Sequence, residues 1–182
     1  MLDAIRNRRS IRKYQDKPVP AEKLEILIRA AMQAPSARNT QPWEFVITED
    51  RGILSRIPDF HPYAEMVPSA GAVILVCGNR ELQSEIGYIL EDCSAAIQNI
   101  LLEAVNQDIG AVWLGVYPGE ERIKGMISLF NLPGHIVPIA LVSLGFPGES
   151  KEFDDQFKRE KIHRDAGKIA EEYCRIHIVS VS

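Results

Sequence analysis

Gly87-Tyr88-Ile89-Leu90-Glu91-Asp92-Cys93-Ser94-Ala95-Ala96-Ile97-Gln98-Asn99-Ile100-Leu101-Leu102-Glu103-Ala104-Val105-Asn106-Gln107 is the stretch that decides the architecture. Ile89, Leu90, Cys93, Ala96, Ile97, Ile100, Leu101, Ala104 and Val105 recur at helical spacing and cover well over half the circumference. A surface helix shows one apolar stripe; a helix apolar nearly all round must be buried on most sides. In a chain of 182 residues the economical burial is against a second copy, so the pattern predicts a homodimer. The pair Glu91-Asp92, like Glu120-Glu121 and Asp154-Asp155, reads as a solvated face, because adjacent residues on a helix point apart.

Around this helix lie shorter signals. Residues 44–48, 72–77, 111–116 and 136–144 have strand composition. Residues 2–9 predict a turn or two of amphipathic helix. Pro20 at a first-turn position, with Leu24, Leu27, Ile28 and Ala31 at helical spacing, predicts a second helix. It should stop near Ala34, because Pro35 disfavours helix at the residue before it. Residues 51–57 form a short helix candidate, 61–68 a polar-aromatic loop, and Pro118-Gly119-Glu120-Glu121 opens another helix. The order α-α-β-β-α-β-α-β lacks the regular alternation of a parallel doubly wound sheet. It predicts an α+β sandwich, helices on both faces of a mostly antiparallel sheet, as one domain over 1–182. In the tail, 151–164 is strongly charged, 168–174 has helical and 176–181 strand composition, and a lone terminal strand needs a sheet edge, its own or a partner's.

Composition excludes several function classes. The apolar share of 46% and charged share of 25% are those of a globular protein. With 25 acidic against 21 basic residues, nothing global draws the chain to nucleic acid or an anionic membrane. The N-terminal residues lack the apolar core of a signal peptide, and the longest apolar run, 72–77, is far too short for a bilayer span. The reading is a cytoplasmic protein. Cys77, Cys93 and Cys174 are odd in number and widely spaced, and the four histidines show no ligand spacing, so neither a disulfide framework nor a metal site is expected. The hydrolase and kinase motifs G-x-S-x-G and G-x-x-x-x-G-K-[ST] are missing, as is G-x-G-x-x-G.

Two polar strings carry chemistry. Arg8-Arg9-Ser10-Ile11-Arg12 offers guanidinium forks and a hydroxyl, which suit a phosphate ester. At helical spacing Arg8 and Arg12 would share one face. Pro35-Ser36-Ala37-Arg38-Asn39-Thr40-Gln41-Pro42-Trp43 ends the preceding helix and enters a strand with Trp43 in the core. If its middle is extended, Asn39 and Gln41 fall on one side, where amides suit the edge of a heterocycle. Together the strings point to a bound nucleotide-like cofactor. In Gly110-Ala111-Val112-Trp113-Leu114-Gly115-Val116, Gly115 would permit close backbone approach to a planar ligand.

In combination these strings resemble the nitroreductase family of FMN-dependent NAD(P)H oxidoreductases, in its short single-domain form. R-R-S-I-R-K-Y, P-S-A-R-N-T-Q-P-W-E-F, D-C-S-A-A-I-Q-N-I-L-L-E-A, W-L-G-V-Y and L-G-F-P follow in the family's order and approximate spacing over residues 1–147. The resemblance implies a nitroreductase-like α-β-α homodimer with two FMN sites at its interface, NADH or NADPH as electron donor and a small-molecule acceptor. Arg8, Arg9, Ser10 and Arg12 would hold the phosphate, ribityl chain and pyrimidine edge. Pro35, Ser36, Asn39 and Gln41 would come from the other subunit, and Leu114 and Gly115 would turn backbone N–H groups to the flavin N5 and O4. Many relatives carry a K-x-R phosphate clamp after the L-G-[YF]-P turn; here Arg159 and Lys161 keep the spacing in reverse order, and the segment 150–182 is a candidate arm on the partner subunit. The flavin does the redox chemistry, so no protein group is expected to be catalytic. On the same scaffold, flavin fragmentation or reductive dehalogenation are the alternatives, and a flavin-binding or storage protein without turnover is a third.

Overall fold

The computed structural model describes residues 1–163; the helical and strand signals at 168–174 and 176–181 lie outside the described residues. The chain divides into two units, Met1–Lys151 and Glu152–Ser182. In the first, the elements run α1 (Asp3–Asn7), α2 (Ala21–Ala31), β1 (Trp43–Thr48), α3 (Arg51–Arg56), β2 (Ala72–Asn79), α4 (Ile86–Asn106), β3 (Gly110–Gly115), α5 (Glu120–Phe130) and β4 (Ile136–Gly145). Within the second, Arg159–Lys161 form a short 3₁₀ turn.

The four strands pair antiparallel throughout, in the order β1-β2-β4-β3. Because strand side chains alternate between faces, β2 feeds two cores. Ala72, Ile74 and Val76 pack with Val142 and Leu144 under α2 and α4. Val73, Leu75 and Cys77 pack with Val112, Leu114 and Leu141 beside Leu54 of α3 and Met126 of α5. Strands buried on both faces read as continuous apolar runs, which is why β2 and β4 stood out in the sequence. The α+β sandwich with an antiparallel sheet is borne out.

A bulge in β4 shapes the end of β3. Val76 opposes Ala140 while Cys77 opposes Pro138, which leaves Ile139 as the extra residue. Proline has no N–H to give a ladder, so a bulge beside it is an expected place for the register to slip. The Ile139 carbonyl accepts the N–H groups of both Val116 and Tyr117 at 3.0 Å. Two successive donors on one oxygen turn the chain away from the ladder directly after Gly115.

Helix α4 corrects one expectation. Ile89, Cys93, Ala96, Ile97, Ile100, Leu101 and Ala104 are buried by the chain's own sheet and α2. Only Leu90 and Val105 of the expected set are half-exposed. A second copy is therefore not required to cover this helix: a sheet beneath and a helix alongside bury an all-round apolar surface within one chain. The inference of a homodimer from burial falls, and what remains for it is the family resemblance. The pairing of Glu91 and Asp92 as a solvated face also fails, since Asp92 is only 5% exposed.

Candidate active site

The first string is held as an extended edge, not a helix. Helix α1 ends at Asn7, and Arg8 already has extended backbone (φ −60°, ψ 121°). The expected helical face joining Arg8 to Arg12 is absent; five residues give too little helix to continue without packing support. Instead Ser10 forms a parallel bridge with Ala111 of β3, and the Ile11 N–H donates to the Ala111 carbonyl at 3.0 Å. Further along, Tyr14 bridges Pro147, and its hydroxyl lies 3.0 Å from the Ile11 carbonyl and 3.0 Å from Ser143 Oγ. Burial pushes the Tyr14 phenol up to about 12. The phenol thus stays a neutral hydrogen-bonding strut that ties the string to β4.

Residues after the L-G-F-P turn return to this edge. The Glu149 carboxylate accepts the Arg12 backbone N–H at 2.6 Å, and Lys151 Nζ donates to the Ser10 carbonyl at 2.6 Å. Lys151 and Glu149 are 3.6 Å apart. The Arg12 N–H, helped by Lys151, holds the Glu149 carboxyl below its ordinary range. Among the described residues neither the Arg8 nor the Arg12 guanidinium enters an ion pair. Lys151 is a basic residue at the first string that the sequence reading missed; its distance from the L-G-F-P turn was the available signal. Arg159 and Lys161 belong to the second unit and its 3₁₀ turn.

Arg12, Leu114 and Gly115 line one cleft of about 500 Å³, together with Pro62, Tyr63, Glu65, Met66 and Trp113. That volume is in the range of small-molecule and cofactor sites. Gly115 stands at the end of β3, and a Cβ built on it would meet nothing within 4 Å. The chain's own packing therefore does not ask for glycine there. The loop 61–68 supplies the facing wall, with Tyr63 well exposed.

His61 begins that loop and is buried at 1% exposure. Its Nε2 lies 3.0 Å from the Gly115 carbonyl, which also accepts from the Arg122 guanidinium at 2.5 Å. A carbonyl only accepts, so the proton is assigned to Nε2. Burial, reinforced by the Arg122 charge, lowers the His61 pKa and outweighs the carbonyl's opposite pull. Among the described residues Nδ1 has no partner. No spacing in the sequence marked this histidine.

The second string is a turn, not an extended segment. Ala37–Asn39 form a 3₁₀ turn, and Arg38, Asn39 and Gln41 all have left-handed backbone, with φ of 54°, 56° and 47°. The expected alternation of Asn39 and Gln41 on one side is thereby overturned. Ser36 Oγ accepts the Gln41 N–H at 3.0 Å, and the buried Asp92 carboxylate of α4 accepts the Ala37 N–H at 2.9 Å. Asn39 and Gln41 are exposed, as is Pro35, while Trp43 is 7% exposed in the core as expected. None of Pro35, Ser36, Asn39 and Gln41 lines the Arg12–Gly115 cleft. They lead into β1, the edge opposite β3. Three interstrand steps put the two edges about 14 Å apart.

The nitroreductase family model matches residues 5–73 and 61–146. The chain belongs to the nitroreductase family. A candidate NADH dehydrogenase/NAD(P)H nitroreductase of Methanothermobacter thermautotrophicus is 45% identical over 163 residues, 90% of this chain and 85% of the relative. The crystal structure of a candidate NADH oxidase from Clostridium acetobutylicum is 44% identical, with a TM-score of 0.87 over 91% of this chain and 100% of that one. A candidate nitroreductase from Desulfovibrio desulfuricans, solved in complex with FMN, is 30% identical, with a TM-score of 0.78 over 90% and 95% of the two chains. The nitroreductase resemblance read from the strings is borne out, and the sheet and helices described above are those of a nitroreductase fold.

Proposed function

We propose that this protein is an FMN-dependent oxidoreductase that takes reducing equivalents from NADH or NADPH and passes them to a small oxidised acceptor such as a nitroaromatic or quinone. One observation carries the reading: Arg12, Leu114 and Gly115, far apart in sequence, line one cleft with open space beside the Gly115 α-carbon. The FMN-bound relative supports it. The residues present fit the cofactor, because the cleft offers a guanidinium that enters no ion pair among the described residues, a bare backbone strand end and aromatic walls.

When bound, FMN would supply the redox chemistry that links the nicotinamide to the acceptor. The chain's own residues bind and orient. Arg8, Arg9 and Ser10 would hold the phosphate and ribityl chain, with Lys151 as the nearby second cation in preference to Arg159 or Lys161. Arg12 would face the pyrimidine edge, where a charged hydrogen bond contributes about 1–3 kcal/mol once negative charge develops there. Leu114 and Gly115 would present backbone N–H groups at the strand end, directly before the two amides that the bulge holds. Tyr63, Met66 and Trp113 would exclude water around the stacked donor or acceptor.

The distance between sheet edges supports a homodimer in which Pro35, Ser36, Asn39 and Gln41 serve the flavin of the other subunit. The test is steady-state oxidation of NADH or NADPH by the FMN-loaded protein with an added quinone. Parallel double-reciprocal plots are expected for two half-reactions at one site. FMN binding without turnover for any nicotinamide and acceptor pair would leave a flavin carrier and refute the enzyme.

A further inference from the structure

We propose that His61 and Arg122 are positioning residues that clamp the Gly115 carbonyl and so aim the Leu114–Gly115 backbone at the flavin ring. The inference rests on the FMN reading. Glycine is the most permissive of residues, so a strand end on glycine keeps one orientation only if something else holds it. Here two side chains do, each from a different element. His61 approaches from the loop before the cleft wall and Arg122 from the first turn of α5. The bulge at Ile139 fixes the next two amides, of Val116 and Tyr117.

The local sequence is arranged around this contact. A Cβ at Gly119 would collide with the Arg122 guanidinium, so glycine leaves the path by which the side chain folds back onto Gly115. His61 is buried at a cost: its Nδ1 gives up water and finds no partner among the described residues. A leucine would fill the space without that cost, so the hydrogen bond to Gly115 is what the imidazole provides beyond packing. The ring also lies edge-on to Tyr63, with centroids 6.3 Å apart. One residue thus ties the cleft's loop wall to its backbone wall. The neutral form that burial favours keeps a proton on Nε2 and no charge beside Arg122.

The test measures FMN and riboflavin affinity and the midpoint potential of bound FMN, with activity left aside. His61→Leu keeps the volume and removes the donor, whereas His61→Gln can restore an N–H near the Nε2 position. Arg122→Met removes the second donor and serves if His61→Leu does not fold. A clamp on the ring end predicts equal loss for FMN and riboflavin, about tenfold, because the phosphate is not involved. Hydrogen bonds strengthen on an acceptor that gains negative charge, so misaiming the backbone makes the ring harder to reduce. A tenfold change in that preference lowers the potential by about 30 mV for a two-electron couple. His61→Gln should recover most of both. A folded His61→Leu protein with wild-type potential and affinities, or Gln and Leu variants that behave alike, would overturn the clamp while leaving FMN binding intact. Wild-type protein that binds no FMN would overturn the functional reading itself, and the clamp with it.

Discussion

The carboxylate of Asp92, buried on α4, accepts the backbone N–H of Ala37 at 2.9 Å and so anchors the turn of the second string to the long helix. Its other oxygen has no partner among the described residues. Asp92→Ala leaves the Ala37 N–H unpaired and should destabilise the fold by about 2 kcal/mol, the usual size for a hydrogen bond to a charged group. Asp92→Asn keeps an acceptor and removes a poorly solvated charge, so it should stay within about 1 kcal/mol of wild type. Urea unfolding of the two variants checks this; equal losses would show that the anchor is packing and not the hydrogen bond.

Tyr14 makes stability fall at alkaline pH. Its folded pKa of about 12 lies above the ordinary 10.0, with burial as the main cause. The contribution is complete below pH 10, where folded and unfolded phenols are both protonated, and is lost as pH rises from about 10 through 12. Tyr14→Phe should cost about 1 kcal/mol at neutral pH through the lost bonds to Ser143 and Ile11. The variant should also show a flatter decline above pH 10 in thermal melts.

His61 acts at the acid end. Its folded pKa is lowered from 6.5, so the unfolded chain takes up a proton first. Stability is full above about pH 6.5 and declines as pH falls below it. Melting temperatures between pH 7.5 and 5 should fall less steeply in His61→Gln than in wild type. An identical slope would show that His61 is protonated in the folded protein as readily as in the unfolded one.

How much of this was legible in the sequence depended on range. Strands β2 and β4 announced themselves because burial on both faces leaves no polar position to blur the run. Arg12 and Gly115 were legible because each has a local chemical reason, a guanidinium or a missing side chain, whereas Leu114 came only with the family resemblance. The turn at Ala37–Asn39 was not: Arg38 and Gln41 are unusual choices for left-handed backbone, and that conformation is held by tertiary contacts such as Asp92. His61 was invisible for the same reason, since its partner Gly115 lies 54 positions away. Local patterns carry periodicity and turn chemistry; they do not carry hydrogen bonds between distant elements.

Arg8 separates phosphate recognition from ring recognition. Arg8→Ala should weaken FMN strongly and riboflavin much less, because riboflavin lacks the phosphate that a guanidinium fork grips. Fluorescence titrations with both ligands decide this. Equal losses would show that Arg8 does not contact the phosphate.

The shared site makes a prediction that a single-chain site cannot. Arg12→Ala and Asn39→Ala homodimers would each carry two damaged sites, whereas a mixed dimer gathers both defects in one site and leaves the other intact. Co-expressed, differently tagged subunits should recover towards half of wild-type quinone-dependent NADH oxidation. No recovery, with mixed dimers confirmed, would refute the two-chain arrangement.

The central claim is that FMN lies against Gly115 in the cleft, and the most direct measurement is FMN titration of wild type beside Gly115→Val. Among the described residues, and apart from its two chain neighbours, nothing stands within 4 Å of a Cβ at that position, and valine suits a strand, so the variant should melt within a few degrees of wild type. Wild type is expected to bind FMN with the visible band of oxidised flavin, and Gly115→Val to lose at least a hundredfold in affinity. A stable Gly115→Val protein that binds FMN as wild type does would contradict the account.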